Sequence, residues 1–243
     1  MSFASWYESP WHHPAVAWLA TLLVLFLAPT LAHLAGPRRR VLVGLQLLAA
    51  LDALCTGPWS PFSGSPAWNT AASVVFVILG DARFLVLLQD PTLSAGHRRL
   101  ALVRGLLVAT GFSLAAYLAS RALPASMQSP RYLFLTYELM FLGLLLLLIR
   151  RWLPLAEDAQ VRRAQRRLTR FEFLQYGLWV AADLWLLFGG RWADYGYALR
   201  LLPNTLYYAG FAAFAALYGM LPNPVFRPAS DLTIPDDEQS LAV

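Results

Sequence analysis

The stretch "VILGDARFLVLLQD", residues 77–90, places an aspartate and an arginine, Asp81 and Arg83, inside a run that is otherwise apolar enough to lie in lipid. A charged side chain that faces the hydrocarbon of a bilayer costs at least about 2.5–3.5 kcal/mol. Two residues along an α-helix turn by about 200°, so these side chains leave the helix on opposite faces and cannot pair with each other. We therefore expect this helix to be central in a bundle, with a separate partner for each charge.

The composition of the whole chain is typical of a membrane protein. Of its 243 residues, 58% are hydrophobic and 14% are charged, whereas soluble domains carry about 25% charged residues. A membrane-spanning helix needs about 20 mostly apolar residues, and seven windows meet or approach this length. They are 14–35, 41–56, 67–89, 100–120, 131–150, 171–189 and 196–220. The sequence predicts an all-α, polytopic membrane protein with a seven-transmembrane-helix bundle over residues 1–220.

The placement of arginine predicts the orientation of this bundle. Fourteen of the 19 basic residues follow the first, third, fifth and seventh windows, and basic residues favour cytoplasmic loops. We expect the N-terminus outside and the C-terminus in the cytoplasm. Residues 221–243 form an acidic, Pro-rich tail, for which we predict disorder. A bias toward Arg, Ala, Leu, Gly and Pro, with no lysine, favours a GC-rich bacterial genome and hence the plasma (inner) membrane.

Aromatic residues gather where the first window begins. Trp6, Tyr7, Trp11 and Trp18 precede or start it. Tryptophan and tyrosine are enriched at membrane–water interfaces. We interpret these four residues as part of an aromatic belt at the outer interface.

Five arginines would share one face of a helix between the fifth and sixth windows. They are Arg162, Arg163, Arg166, Arg167 and Arg170. Such a face can bind the anionic headgroups of membrane lipids or an acidic partner, and it also fits a cytoplasmic loop that is simply basic. Because the chain has no separate soluble basic domain, we expect no nucleic-acid partner.

Four carboxylic acids are expected near the middle of the membrane. They are Asp52, Asp81, Glu138 and Asp183. Counted from the cytoplasmic end of each window they lie about 13–20 Å up, in a hydrocarbon core about 30 Å thick. The bases near them are Arg83 and Arg200. A buried acid without a basic partner takes up a proton or binds a cation, although protonated acids can also hydrogen-bond across helices for packing alone.

The sixth and seventh windows extend this polar set. Arg200, Asn204 and Tyr207 lie three or four residues apart, on one helical face. The candidate solute- or ion-binding residues are Asp52, Asp81, Glu138, Asp183, Arg83, Arg200, Asn204, Tyr207 and Glu172. We expect Arg83 to lean toward the cytoplasm and pair with Glu172, and Asp81 to be protonated or to hold a cation.

Common signatures of enzymes and cofactors are absent from the sequence. Without lysine there is no Schiff base and no P-loop. No G-x-S-x-G or H-E-x-x-H motif occurs, and the four histidines and one cysteine are not spaced as metal or haem ligands. We predict no catalytic residue, no metal and no cofactor.

Three functions remain open from the sequence. The first is a carrier for a small solute or ion, with proton coupling as one form of it. The second is a receptor or assembly subunit that transports nothing and acts through the basic face or the tail. The third is a membrane-embedded lipid-modifying enzyme that uses an acid pair such as Asp81 and Glu172 for acid–base catalysis. We prefer the carrier because acids outnumber bases at one depth.

Overall fold

The computed structural model describes part of the chain. The described residues are 2–7, 36–56, 60–62, 64–89, 95–153 and 158–219. Over these residues the chain is helical and contains no β-strand, which confirms the all-α prediction for this part. The predicted first span at 14–35 and the predicted disordered tail at 221–243 lie outside the described residues.

Helices account for most of the described residues. They are α1 (Phe3–Tyr7), α2 (Gly36–Thr56), α3 (Pro66–Gln89), α4 (Ala95–Arg121), α5 (Pro130–Leu147), α6 (Ala159–Phe188) and α7 (Asp194–Thr205). A wider π turn, Leu148–Trp152, continues α5. The π turn Leu206–Gly210, the short helix Phe211–Phe214 and a second π turn, Ala215–Gly219, continue α7.

Three of these helices are long and apolar enough to cross a membrane. They span Pro66–Gln89, Arg99–Arg121 and Pro130–Trp152, and a shorter apolar helix covers Val43–Thr56. This search concerns the described residues and rests on length and composition. It indicates a membrane protein, and the number of seven spans stays a prediction.

The sixth predicted window is part of a much longer helix. Its helix, α6, begins 12 residues before the window, so the basic face and the predicted span form one rod of 30 residues. Its length of about 45 Å exceeds the hydrocarbon thickness of about 30 Å. The Asp158 carboxylate accepts hydrogen bonds from the backbone N–H groups of Gln160 at 2.6 Å and Val161 at 3.1 Å. This N-cap satisfies donors that the first turn would otherwise leave without a partner.

Helix α3 packs against more than one side of the bundle. It contacts α2, α4 and α6, and its side chains reach Tyr137 on α5 and Tyr207 on the continuation of α7. Asp81 and Arg83 are both buried. A helix with charges on two faces can turn neither of those faces to lipid. The helices around α3 therefore supply the polar contacts of Asp81 and Arg83.

An aromatic core joins the helices next to these charges. Phe141 on α5 stacks on Tyr176 of α6 with ring centroids 4.6 Å apart, and it meets Phe84 of α3 edge-on at 6.2 Å. Phe112 of α4 contacts the same ring at 6.0 Å. Phe84 and Phe141 are fully buried. Edge-on and offset ring pairs of this kind fix the rotation of each helix about its own axis.

Candidate functional site

A cavity of about 500 Å³ lies between the helices at one end of the bundle. Six of the residues that the sequence proposed line it, namely Asp52, Asp81, Glu138, Arg200, Asn204 and Tyr207. We call this cavity the polar chamber. Asp183 lies behind its wall, paired with two arginines that line it. Arg83 and Glu172 do not line it.

The chamber forms at one end because consecutive helices run in opposite directions. Its lining residues come from the second halves of α2 and α6, from the first half of α5, from the first two thirds of α3, and from the end of α7 with the π turn that continues it. Tyr7 of α1 also reaches it. Polar positions that are far apart in the sequence therefore meet at the same level of the bundle.

Asp183 joins two arginines at the chamber wall. Its side chain is 0% exposed, and its Oδ1 accepts from Nη1 of Arg131 at 3.3 Å and from Nη1 of Arg200. Its Oδ2 has no hydrogen-bond partner among the described residues. Arg200 was one of the two bases that the sequence placed near the acids, whereas Arg131 was not; from the first turn of α5 it is long enough to reach inward.

Asp81 is satisfied by tyrosines. The hydroxyl of Tyr176 donates to its Oδ1 at 2.5 Å, and the hydroxyl of Tyr137 donates to its Oδ2. Neither tyrosine was predicted from the sequence as a site residue, although Tyr176 lies four residues after Glu172 and Tyr137 precedes Glu138. Two donors meet the hydrogen-bonding need of this acid, and among the described residues no base forms an ion pair with it. Its protonation stays a prediction.

Asp52 sits at the far side of the chamber. It is buried on α2, and its Oδ1 accepts from the hydroxyl of Thr56 at 3.1 Å. Tyr207 and Tyr208 lie beside it and line the same cavity. Hydroxyl groups thus surround this acid, as they surround Asp81.

Glu138 differs from the other acids. It lines the chamber, only 5% of the residue is exposed, and its Oε2 has no hydrogen-bond partner among the described residues. The charged groups nearest to it are Asp183, Arg131 and Arg200. A buried polar atom without a partner carries a free-energy cost. Within the described part of the chain, Asn69 and Arg200 in the lining also have a buried polar atom without a partner, and Glu138 is the acid of the lining that has one.

Arg83 has a different partner from the one that the sequence predicted. Its Nη2 donates to the backbone oxygen of Tyr207 at 2.9 Å, and its guanidinium carbon lies 4.2 Å from the ring centroids of both Tyr207 and Phe211. Both Arg83 and Glu172 are described, and no ion pair joins them; Glu172 accepts from Nε2 of Gln175 at 3.3 Å. The predicted pair was wrong because two aromatic faces and a free carbonyl attract the guanidinium more closely.

That carbonyl belongs to the π turn in α7. A second side chain, Gln46 of α2, donates to the next carbonyl, that of Tyr208, at 2.6 Å. Two successive backbone oxygens of Leu206–Gly210 thus accept hydrogen bonds from side chains of other helices. Single π turns inside helices are frequent at functional sites, and this one carries two tyrosines of the chamber.

Aromatic rings form a continuous wall of the chamber. The ring centroids of Tyr137 and Tyr176 are 6.5 Å apart, those of Tyr176 and Trp179 5.3 Å, those of Trp179 and Tyr207 5.5 Å, and those of Tyr207 and Tyr208 4.8 Å. All five residues line the cavity. Electron-rich ring faces next to carboxylates are suited to a cation.

Gly80 permits the closest approach in this wall. A Cβ atom built at Gly80 would lie 2.8 Å from Cε2 of Tyr207, which is closer than carbon atoms pack. The absent side chain lets the Tyr207 hydroxyl reach the backbone oxygen of Phe76 at 3.2 Å. The absence of a side chain at Gly80 therefore determines the position of the Tyr207 ring beside Asp52.

Asn204 connects α6, α7 and α1. Its Oδ1 accepts from Nε1 of Trp179 at 2.9 Å, and its Nδ2 donates to the hydroxyl of Tyr7 at 2.8 Å. The Asp194 carboxylate holds α1 in place by accepting the backbone N–H groups of residues 3 and 4, each at 2.7 Å. Tyr7, which the sequence analysis interpreted as a belt residue, also lines the chamber.

Among the described residues, no three His, Cys, Asp or Glu side chains converge on a position that could hold a metal ion. The chain matches no family model, no curated protein and no solved structure.

Proposed function

We propose that the protein is a multi-pass carrier with seven membrane spans, located in the plasma (inner) membrane of a bacterium, and that its polar chamber binds a small organic cation. The observation that carries this proposal is Glu138, an acid that faces a cavity with one buried oxygen left without a partner. The chamber volume of about 500 Å³ falls in the range of small-molecule sites, about 300–1,000 Å³.

Charge and aromatic surface together favour a cation over an anion. Asp52, Asp81 and Glu138 line the chamber. Two arginines, Arg131 and Arg200, also line the chamber. Both form ion pairs with Asp183, which partly compensates their positive charge. The aromatic wall adds ring faces, which attract ammonium groups more strongly where water is excluded. An ammonium group at Glu138 would satisfy the oxygen that now lacks a partner.

Glu138 also supports coupling to protons. A buried carboxyl without a basic partner is stable when it holds a proton or when a cation sits next to it. Asp183, Arg131 and Arg200 are the charged groups that face it, and they compensate one another in part. We infer that a proton leaves Glu138 when the cation binds, so that an outward proton movement accompanies uptake of the cation.

Binding of simple ammonium ions tests the proposal. We expect ethylammonium and tetramethylammonium to bind the protein in nanodiscs, and the neutral analogue tert-butanol not to bind. Glu138→Gln should weaken the binding of ethylammonium about ten- to a hundredfold, the worth of one charged hydrogen bond. It should also weaken the binding of tetramethylammonium, which has no N–H group and loses only its attraction to the carboxylate charge. Isothermal titration calorimetry measures this. In proteoliposomes, an imposed pH gradient should drive uptake of the labelled cation in the wild-type protein and not in Glu138→Gln.

A matched control removes a carboxylate charge elsewhere. Asp158→Asn sits at the exposed start of α6 and keeps a residue suited to the N-cap. It should bind the cations as the wild-type protein does. Equal binding by the wild type and Glu138→Gln, or equal binding of tert-butanol and tetramethylammonium, would contradict the proposal.

The proposed orientation places the chamber in the outer half of the membrane and the basic face of α6 at the cytoplasmic surface. There we propose that five arginines meet anionic lipid headgroups; they are Arg162, Arg163, Arg166, Arg167 and Arg170. Helix α6 presents four of them as exposed side chains. The chamber lies toward the opposite end of this helix.

Cysteine labelling checks this orientation. In a Cys55→Ser background, which removes the only cysteine, a membrane-impermeant maleimide should label Ser126→Cys in intact cells. Ser126 is exposed in the connection between α4 and α5. Ala159→Cys, at the start of α6, should be labelled only after the membrane is opened. The reverse pattern would place the chamber inside and the basic face outside.

The lipid-modifying alternative is less well supported. It requires two acids that face one substrate, yet Asp81 lines the chamber and Glu172 does not, and both oxygens of Asp81 are engaged by tyrosines. The receptor alternative draws on the basic face of α6 or on the tail at 221–243; the basic face also fits a lipid contact, and the tail lies outside the described residues. We therefore favour the carrier.

A further inference from the structure

A second cavity adjoins the polar chamber. It has a volume of about 270 Å³, lies between α3, α4 and α5, and is lined almost entirely by carbon atoms. Side chains on its walls include Val74, Ile78, Leu114, Ala116 and Leu133. We call it the apolar pocket.

The two cavities share a wall. Val77, Phe134 and Tyr137 line both of them. Tyr137 presents its hydroxyl to Asp81, on the chamber side. A molecule that passes these three side chains would therefore meet acids and hydroxyl groups at one end and hydrocarbon at the other.

The apolar pocket reaches the outer surface of the helices. Leu114 and Tyr117, both on its wall, are 57% and 51% exposed. They lie on α4, one of the three helices that are apolar enough to span a membrane. Exposed apolar side chains at that level face hydrocarbon in a bilayer. The pocket thus offers a route by which a chain dissolved in the membrane could enter sideways.

We infer that the solute of the polar chamber is an amphipathic cation, whose ammonium group lies in the chamber and whose single hydrocarbon chain occupies the apolar pocket. This inference rests on the proposed function, because it assigns the cation that Glu138 binds to a chemical class. The observation that supports the inference is the wall that the two cavities share. A purely polar cation would leave the adjoining hydrocarbon-lined space without an occupant, whereas an alkyl chain gains free energy there in proportion to the area that it buries.

A chain-length series tests the inference. Ethyl-, butyl-, hexyl- and octylammonium should bind the wild-type protein with an affinity that rises by a factor of about four for each added methylene until the pocket is full. The measurement is isothermal titration calorimetry in nanodiscs of a neutral lipid. Because the longer amines also dissolve in the lipid, the decisive comparison is between variants in identical discs.

Variants that fill the apolar pocket should remove the rise in affinity with chain length and leave the affinity for ethylammonium unchanged. Ser113→Leu adds bulk on the pocket wall, and Thr110→Phe does so from an exposed position that tolerates it if the first variant fails to fold. Both should bind ethylammonium as the wild type does and octylammonium no more tightly than ethylammonium. Leu118→Phe, on the same helix but outside the pocket, is the control and should keep the full rise.

The outcomes separate the two levels of the proposal. If the affinity of Ser113→Leu and Thr110→Phe rises with chain length as in the wild type, the alkyl chains dissolve in the lipid and not in the pocket. The inference is then wrong, but the proposed cation site in the chamber is not affected. If octylammonium and ethylammonium bind the wild type equally, the pocket does not take the chain, and the inference is again wrong. If no ammonium ion binds the wild type, the proposed function itself fails.

Discussion

Replacing Asp183 with asparagine is expected to lower the free energy of unfolding by about 3–5 kcal/mol, the usual cost of removing one partner from a buried ion pair. The carboxylate is fully buried, and it holds Arg131 and Arg200 together. The Arg131 side chain is 31% exposed and can turn toward water, whereas the Arg200 side chain, 15% exposed, stays behind without its ion-pair partner. Unfolding by sodium dodecyl sulfate in mixed micelles, followed by tryptophan fluorescence, measures the loss.

A double variant identifies the cause of that loss. Arg200→Gln in the Asp183→Asn background removes the stranded charge, so the double variant should be more stable than the sum of the two single effects predicts. Asp158→Asn, which removes an exposed carboxylate and keeps the N-cap, should change stability by no more than about 0.5 kcal/mol. Strict additivity of Asp183→Asn and Arg200→Gln would show that the ion pair does not stabilise the fold.

Arg83→Met is expected to cost a similar amount, about 3–5 kcal/mol. The variant loses a charged hydrogen bond to the Tyr207 carbonyl, worth about 1.5–3 kcal/mol, and the attraction of two ring faces, worth about 2 kcal/mol where water is excluded. It also leaves a carbonyl of the π turn without its donor. Arg83→Lys should recover only part of the loss, because an ammonium group lacks the flat surface that fits between Tyr207 and Phe211.

Double-mutant cycles on Arg83 decide between the ring partners and the acid that the sequence predicted. The coupling energy between Arg83→Met and Phe211→Leu should fall in the range of about 0.5–3 kcal/mol for residues in contact. It should exceed the coupling between Arg83→Met and Glu172→Gln, since no ion pair joins these two described residues. A stronger coupling to Glu172 would restore the pair that the sequence suggested and contradict the structure.

The polar chamber could be anticipated only in part from the sequence. Asp52, Asp81, Glu138, Arg200, Asn204 and Tyr207 were named as candidate residues, and all six line it. Acids, amides and arginines stand out in an apolar chain because lipid excludes them. Tyrosines do not stand out in this way, since they serve equally in a core, in an interfacial belt or in a site. Tyr7, Tyr137 and Tyr176 were therefore not proposed.

Two features depended on helix geometry that a sequence does not show. Arg131 lies in the first turn of α5, and only the packing of α5 against α6 reveals that it meets Asp183. The π turn Leu206–Gly210 inserts a wider turn into α7 and presents the carbonyls that Arg83 and Gln46 bind. Spacing rules assume a regular helix of 3.6 residues per turn, and a π turn breaks that assumption.

The sequence by itself determined that Asp81 and Arg83 point in opposite directions and that each needs a buried partner, because the turn per residue and the cost of a charge in hydrocarbon act within a single helix. Only the tertiary structure decided which groups those partners are. They are two tyrosine hydroxyls for Asp81, and for Arg83 the backbone carbonyl of Tyr207 with the rings of Tyr207 and Phe211. The choice depends on the relative height and rotation of neighbouring helices. Those are set by the packing of the whole bundle, in which a shift of one turn, about 5.4 Å, brings a different side chain into reach.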